Sequence, residues 1–262
     1  MRAAFFDLDK TVIAKASIGA FGRPLYRGGV INRRLVARAI VSQVIYLHLG
    51  ASEQKLARVR ESMLTLTKGW DRDQIAGIVR EALEETVEPI IYAEALDLIE
   101  AHRAAGHRVY LVSAAPEDIV LPLAEHLGVD GAIASRVVID EDGRYAGEMD
   151  FYAYGPFKAE AMRELAEAEG LDLAECSAYS DSYTDLPMLE AVGQPVAVNP
   201  DRVLAKVARE REWEVMQFTK PVRLRDRVSV PSWSMTAAAA GITAAASVGA
   251  LVAWRLARRP AG

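Results

Sequence analysis

Apolar residues in this chain follow two spacings. Short unbroken apolar runs bounded by Asp, Gly, Ser or Pro occur at "AAFFDLD" (3–9), "HRVYLVSAA" (107–115), "CSAYSD" (176–181), "PVAVNP" (195–200) and "WEVMQF" (213–218). Runs of this kind predict strands, buried on both faces where they are continuously apolar. Between them the apolar positions recur at helical spacing. Asn32 can cap "RRLVARAIVSQVIYLHLG", Ser52 can open "EQKLARVRESMLTL", and Asp71 with Gln74 makes a capping-box-like start for "DRDQIAGIVREALEETVE". Pro89 permits a further helix, "IIYAEALDLIEAHRAAG", closed by Gly106, and Pro116 suits the first position of "PEDIVLPLAEHLG". "FKAEAMRELAEAEG" and "DRVLAKVARERE" read as helices, and "SRVVIDEDGRYAGEMD" as a hairpin turning at Asp142 and Gly143. Strands separated by helices predict an α/β fold: a mostly parallel sheet with helices on both faces, and a helical insert between the first two strands.

Composition narrows the class. With 51% hydrophobic and 26% charged residues over 262 positions, the chain can bury a full core. Its net charge of −5, with no basic cluster interleaved with aromatics, argues against a nucleic-acid partner. Cys176 is the only cysteine, so neither an intramolecular disulfide nor a CxxC metal site can form. The first strand starts within a few residues of Met1, leaving no room for a signal peptide. Both features predict a cytoplasmic catalytic body. His48, His102, His107 and His126 show no HExxH spacing, and there is no GxSxG or GxxxxGK[ST] run. Metalloprotease, serine-hydrolase and P-loop chemistries drop out.

Ligands of open α/β sheets bind beyond the carboxyl ends of the strands. The polar residues at those ends are Asp7 and Asp9 after the first strand, Ser113 after the second, and Asp181 and Asp185 after "CSAYS", while Lys158 opens the helix leading into that strand. Each has an ordinary reading as a turn, cap or solvated residue. Their joint placement at the strand exits of one sheet predicts a catalytic site.

The ordered segments "DLDKT", "LVSAA", "FKAE" and "SDSYTDLPML" resemble the four motifs of the haloacid dehalogenase (HAD) superfamily of phosphatases, in its phosphoserine-phosphatase-like branch. The resemblance covers residues 1 to about 218. It implies a Rossmann-like core (1–11 and 89–218), a mobile helical cap (12–88), Mg²⁺ dependence and an aspartyl-phosphate intermediate. A linker (219–234) and a tail would follow. In those roles Asp7 is the nucleophile and Asp9 the general acid and base, since residues two apart on a strand share a face. Mg²⁺ would screen the phosphate dianion from the attacking carboxylate, held by Asp7, Asp181 and, as in the family, the backbone carbonyl of Asp9, with Asp185 supporting the metal shell. Ser113, the Ala114 N–H and Lys158 would hold the phosphoryl oxygens, and Thr11 would brace the loop of Asp7 and Asp9.

Two features depart from the phosphoserine enzymes. Those carry a glutamate just after the first motif that pairs with the substrate's ammonium, where this chain has Ala16; no acidic residue lies between Asp9 and Glu53, whereas Lys10, Lys15, Arg23, Arg27, Arg33, Arg34 and Arg38 do. This predicts an anionic or lipid-like phosphate substrate, with Arg23 and Arg27 as candidate charge contacts. A small soluble phosphate such as phosphoserine, or a catalytically silent phosphate-binding or regulatory domain, are the alternatives. The second departure is "VSVPSWSMTAAAAGITAAASVGALVAW" (228–254), which carries no charge. Its residues 235–254 are long enough for a helix to cross a ~30 Å hydrocarbon core and predict a membrane anchor, with an Ala-, Gly- and Ser-rich flexible or interfacial tail as the alternative.

Overall fold

The structure is a computed structural model, and it describes residues 1–31, 61, 64, 65 and 67–219. The chain divides into a unit of residues 1–224 and one of 225–262, and the fold below is that of the first. Seven strands form its sheet: β1 (Ala3–Asp7), β2 (Arg108–Pro116), β3 (Gly131–Ile139), β4 (Tyr145–Phe151), β5 (Ser177–Ser180), β6 (Gln194–Val198) and β7 (Glu214–Met216). Their spatial order is β4-β3-β2-β1-β5-β6-β7. All neighbours are parallel except the β3–β4 hairpin at one edge. The helices are α1 (Ser17–Arg27), α2 (Arg72–Ala82), α3 (Ala93–Ala104), α4 (Glu117–Leu127), α5 (Pro156–Glu169), α6 (Leu186–Glu190) and α7 (Arg202–Glu210).

β1 is central and buried at every position, which is why its sequence is an unbroken apolar run ending in one carboxylate. Successive side chains point to opposite faces. Phe6 enters the layer formed with Ile75, Val79, Ile99 and Leu123, from α2, α3 and α4, and stacks on Tyr179 with ring centroids 4.3 Å apart. Phe5 enters the opposite layer with Met162, Met188 and Leu204, from α5, α6 and α7, and stacks on Tyr110 at 5.5 Å. Each buried Phe contributes roughly 1.5–3 kcal/mol by burial, so both faces of the strand hold Asp7 at a fixed height.

Several local boundaries differ from the sequence expectation. The Asp71 side chain accepts from the Gln74 N–H at 3.0 Å, but the Gln74 amide donates to Gly28 O at 3.1 Å instead of closing a capping box. The helix predicted from residue 71 to 88 is α-helical only to Ala82 and continues as a π-turn over Leu83–Val87. Pro89 lies in a following 3₁₀ turn, so α3 starts at Ala93. Its end is as expected: Gly106 takes φ +76°, letting its N–H and that of His107 reach Arg103 O and His102 O. Pro116 closes β2 and caps α4 with extended backbone, one position before the helix starts. β3 begins at Gly131, ahead of the predicted hairpin, because its first half pairs in parallel with β2 before its second half turns to β4.

Among the described residues no helix is long and apolar enough to cross a membrane. The helices expected over 33–66 fall almost wholly outside the described residues, and the 235–254 segment lies entirely outside them.

Candidate active site

The parallel register sets the site. Asp7 is paired with Val112 across β1–β2, so Ser113 follows one residue beyond it, while Ser180 ends β5 on the other side of β1. The carboxyl ends of these strands thus bring Asp7, Ser113 and Asp181 to one edge of the sheet.

Lys158, in the first turn of α5, is directed to that edge and is only 3% exposed. Its Nζ donates to Asp7 Oδ1 at 2.6 Å and to Asp185 Oδ2 at 2.8 Å. Asp185 also accepts from Ser180 Oγ at 2.7 Å. Burial alone would lower the Lys158 pKa; attraction to Asp7 and Asp185 outweighs it and holds the ammonium charged. Burial pushes the Asp7 carboxyl well above the ordinary carboxylate range against the pull of Lys158, and Asp185 and Asp181 add to the rise. The Asp181 carboxyl is pushed up to about 6, chiefly by burial and also by Asp185, with Lys10 opposing.

Asp9 is held differently. The Ser17 N–H, at the start of α1, donates to Asp9 Oδ1 at 2.7 Å and the Ser17 hydroxyl to Oδ2 at 3.3 Å. The positive end of an 11-residue helix therefore faces this carboxylate. Burial nevertheless leaves the Asp9 pKa above its ordinary value, with the Ser17 bonds and Lys158 pulling it down. A carboxyl whose proton affinity is raised by burial is suited to giving up and retrieving a proton.

The surrounding loops are braced by backbone and hydroxyl groups. Ser113 Oγ accepts from the Ala115 N–H at 3.1 Å, within the last residues of β2, where the pairing with β3 shifts register. Ala114 O accepts from Ser135 Oγ at 2.7 Å. Asp201 caps α7, accepts from the Tyr183 N–H at 2.8 Å and donates its own N–H to Asp181 O at 2.7 Å, fixing the loop that carries Asp181 and Asp185. The Thr11 hydroxyl is buried and has no hydrogen-bond partner among the described residues, so it does not brace the Asp7–Asp9 loop through a bond made there.

Thus Asp7, Asp9, Lys158, Asp181 and Asp185 form one electrostatic group, with Ser113 and Ala114 on the adjoining strand end. Arg23 and Arg27 lie on the exposed side of α1. At ~1.5 Å rise per residue they sit roughly 9 and 15 Å along the helix from Ser17. No bond joins them to the carboxylate group among the described residues. Ser17 and Ser180 escape sequence reasoning. Ser17 looks like a helix cap, but its hydroxyl reaches back to Asp9, and Ser180 looks like an ordinary strand residue.

The donor set fits Mg²⁺. Asp7 and Asp181 are buried hard-oxygen donors, and with Asp185 they share only one buried ammonium, an excess of negative charge that a cation would neutralise. Among the described residues no group of three or more His, Cys, Asp or Glu side chains could enclose a metal. Mg²⁺ itself binds few carboxylates and keeps water and substrate phosphate as its other ligands.

A probable phosphatase of Mycobacterium tuberculosis is 50% identical, over 96% of this chain and 86% of its own. A phosphoserine phosphatase of the same organism is 36% identical, over 93% of this chain and 79% of its own. The solved structure of a phospho-aspartyl intermediate analogue of phosphoserine phosphatase superposes with TM-score 0.58 at 20% identity, covering 86% of this chain and 95% of that one, a likeness of fold. The profile of haloacid dehalogenase-like hydrolases matches residues 4–190, which include every carboxylate and the lysine of the site, and the chain belongs to that family of enzymes.

Proposed function

We propose that this enzyme is a Mg²⁺-dependent phosphomonoester hydrolase that works through a phosphorylated Asp7. The observation that carries the reading is the buried Lys158 bridging Asp7 and Asp185, which leaves the other Asp7 oxygen for attack on phosphorus. The Asp7 carboxylate displaces the alcohol, and Asp9, held by Ser17, gives its proton to the leaving oxygen. Asp9 then takes a proton from the water that cleaves the acyl phosphate, regenerating Asp7 and releasing phosphate. Ser113, the Ala114 N–H and Lys158 hold the phosphoryl oxygens as charge moves through the transition state. Asp7, Asp181 and the Asp9 carbonyl would hold Mg²⁺, which when bound supplies positive charge that lets an anion approach an anion. The intact charge network supports turnover over a silent phosphate-binding role, since a binder needs no nucleophile.

The absence of any acid between Asp9 and Glu53 supports an anionic or lipid-like phosphate ester as substrate. The uncharged stretch from Val228 to Trp254 would then hold the enzyme at a membrane; this part of the reading rests on sequence alone. A small soluble metabolite is the second reading, favoured by the relative named as a phosphoserine phosphatase. Turnover of a panel of phosphate esters, with Mg²⁺ and with chelator, tests both. Hydrolysis of no ester in the presence of Mg²⁺ would overturn the enzymatic reading. Selective turnover of phosphoserine would replace the anionic-substrate reading.

A further inference from the structure

We infer that Lys10 is a specificity residue of this site, its ammonium pairing with a second anionic group on the phosphate ester. The inference deepens the phosphomonoesterase reading and rests on it.

Lys10 takes φ +64°, one of three non-glycine residues with positive φ among those described. The left-handed region costs an L-residue roughly 1–2 kcal/mol, which glycine would not incur. A long side chain kept in such a conformation at a functional loop calls for a role.

That role is not supplied by its contact within the protein. Lys10 Nζ lies 4.0 Å from Asp181 Oδ2, beyond hydrogen-bond range, and its side chain is 66% exposed against 11% for Asp181. With its ammonium in solvent and no hydrogen bond made, the pair contributes roughly 0–1 kcal/mol, too little to explain the strain. The geometry instead sets a mobile ammonium at the solvent side of a buried carboxylate. Lys158 is already committed to Asp7 and Asp185, so it cannot serve a group outside the transferring phosphoryl.

Position favours the alcohol side of the ester. Lys10 directly follows Asp9, the group assigned to the leaving oxygen, and its charge is felt by both Asp9 and Asp181. A substituent on the leaving alcohol would extend from the oxygen that Asp9 protonates, beside the loop residue that carries the Lys10 ammonium. With Asp181 neutralised by a cation, the ammonium makes no other ion pair among the described residues and is available to a carboxylate or second phosphate there. Lys15, Arg23 and Arg27, all exposed, continue the same charge along the segment that follows.

The test compares benzylphosphonate with its 4-carboxy and 4-phosphonomethyl derivatives by calorimetry in Mg²⁺, and the matching aryl phosphates as substrates. The full-length protein should bind and use the doubly anionic members more tightly, by lower Kd and KM. In Lys10→Gly, which relieves the backbone strain, that preference should shrink about 5- to 10-fold. Lys10→Asn, a neutral residue tolerant of this conformation, should behave alike, and Lys10→Arg should retain the preference. Added salt should narrow the gap in the wild type and leave the Gly variant little changed. The two anionic derivatives separate carboxylate from phosphate recognition. An unchanged preference in both the Gly and Asn variants would overturn the role of Lys10 even with turnover intact. Absent turnover with a Lys10-dependent binding preference would instead overturn the hydrolase reading and leave this one standing.

Discussion

Lys158 Nζ lies 2.6 Å from Asp7 Oδ1, and both side chains are buried. The pair is completed by Asp185 at 2.8 Å, so one ammonium compensates two carboxylates in a desolvated place. Replacing it by an isosteric apolar residue strips Asp7 of its cation and leaves Asp185 only the Ser180 hydroxyl at 2.7 Å. Lys158→Met should therefore destabilise the fold by about 3–5 kcal/mol in denaturant melts and reduce kcat at least 10²-fold. A variant with wild-type midpoint and turnover would show that the pair neither holds the fold nor serves the reaction.

The two aspartates of the first motif should separate kinetically. Asp7→Asn removes nucleophile and anionic ligand together and should abolish turnover of a simple aryl phosphate. Asp9→Asn should slow it by roughly 10²–10⁴. Ser17→Ala deletes only the 3.3 Å hydroxyl contact and keeps the 2.7 Å N–H bond. It should cost a few-fold in rate and move the alkaline limb of kcat/KM upward, because a bond that favours ionised Asp9 is lost. A limb that stays in place in Ser17→Ala would disconnect Ser17 from the acid.

What the sequence reveals about this protein depends on how local each signal is. β1 is legible because a fully buried strand must be apolar throughout, and Asp7 and Asp9 are legible because they interrupt that pattern. Lys158 and Asp185 are visible as motif residues, but their shared ion pair joins positions 27 apart and no periodicity reports it. Ser17 is illegible for the opposite reason: a serine at a helix start has an ordinary capping use, and only the fold shows that Asp9 faces it. The π-turn after Ala82 is hidden because its residues continue an acceptable helical pattern. The start of β3 is hidden because one strand serves two partners, parallel first and antiparallel after.

Metal and protons should compete at Asp181. Its carboxyl rises from an ordinary value near 3.8 to about 6 in the folded chain. The folded state then binds more protons than the unfolded state between those values, so in chelator this group's contribution to stability is present below about pH 4 and lost as pH rises to about 6. Mg²⁺ takes the deprotonated carboxylate, and its stabilising effect should run the other way. The Tm increase on adding Mg²⁺ should be larger at pH 7.5 than at pH 5, and Asp181→Asn should remove most of it. An equal increase at both pH values, or one that persists in Asp181→Asn, would place the ion elsewhere.

The segment around Gly69–Arg72, ahead of α2, is fastened to the sheet edge, and the strength of that joint can be apportioned. The Gly69 N–H donates to Tyr145 O at 2.8 Å, the Tyr145 N–H to Trp70 O at 2.9 Å and the Arg72 N–H to Gly143 O at 3.1 Å. Beside them the buried Asp118 accepts from Tyr145 OH and Arg72 Nε, both at 2.7 Å. Tyr145 is buried, whereas the Arg72 side chain is 47% exposed and can be replaced at Asp118 by water. Hydrogen bonds to a charged group contribute about 1.5–3 kcal/mol when desolvated, but exposed ion pairs contribute roughly 0–1. Tyr145→Phe should therefore cost more stability than Arg72→Ala, although Arg72 makes the ion pair. Asp118→Asn, which keeps an acceptor for Tyr145 but loses the charge, should fall between them. Denaturant melts of the three variants decide the order, and an Arg72→Ala cost above that of Tyr145→Phe would mean that charge across the joint, not the buried hydroxyl, fastens this segment to the sheet edge.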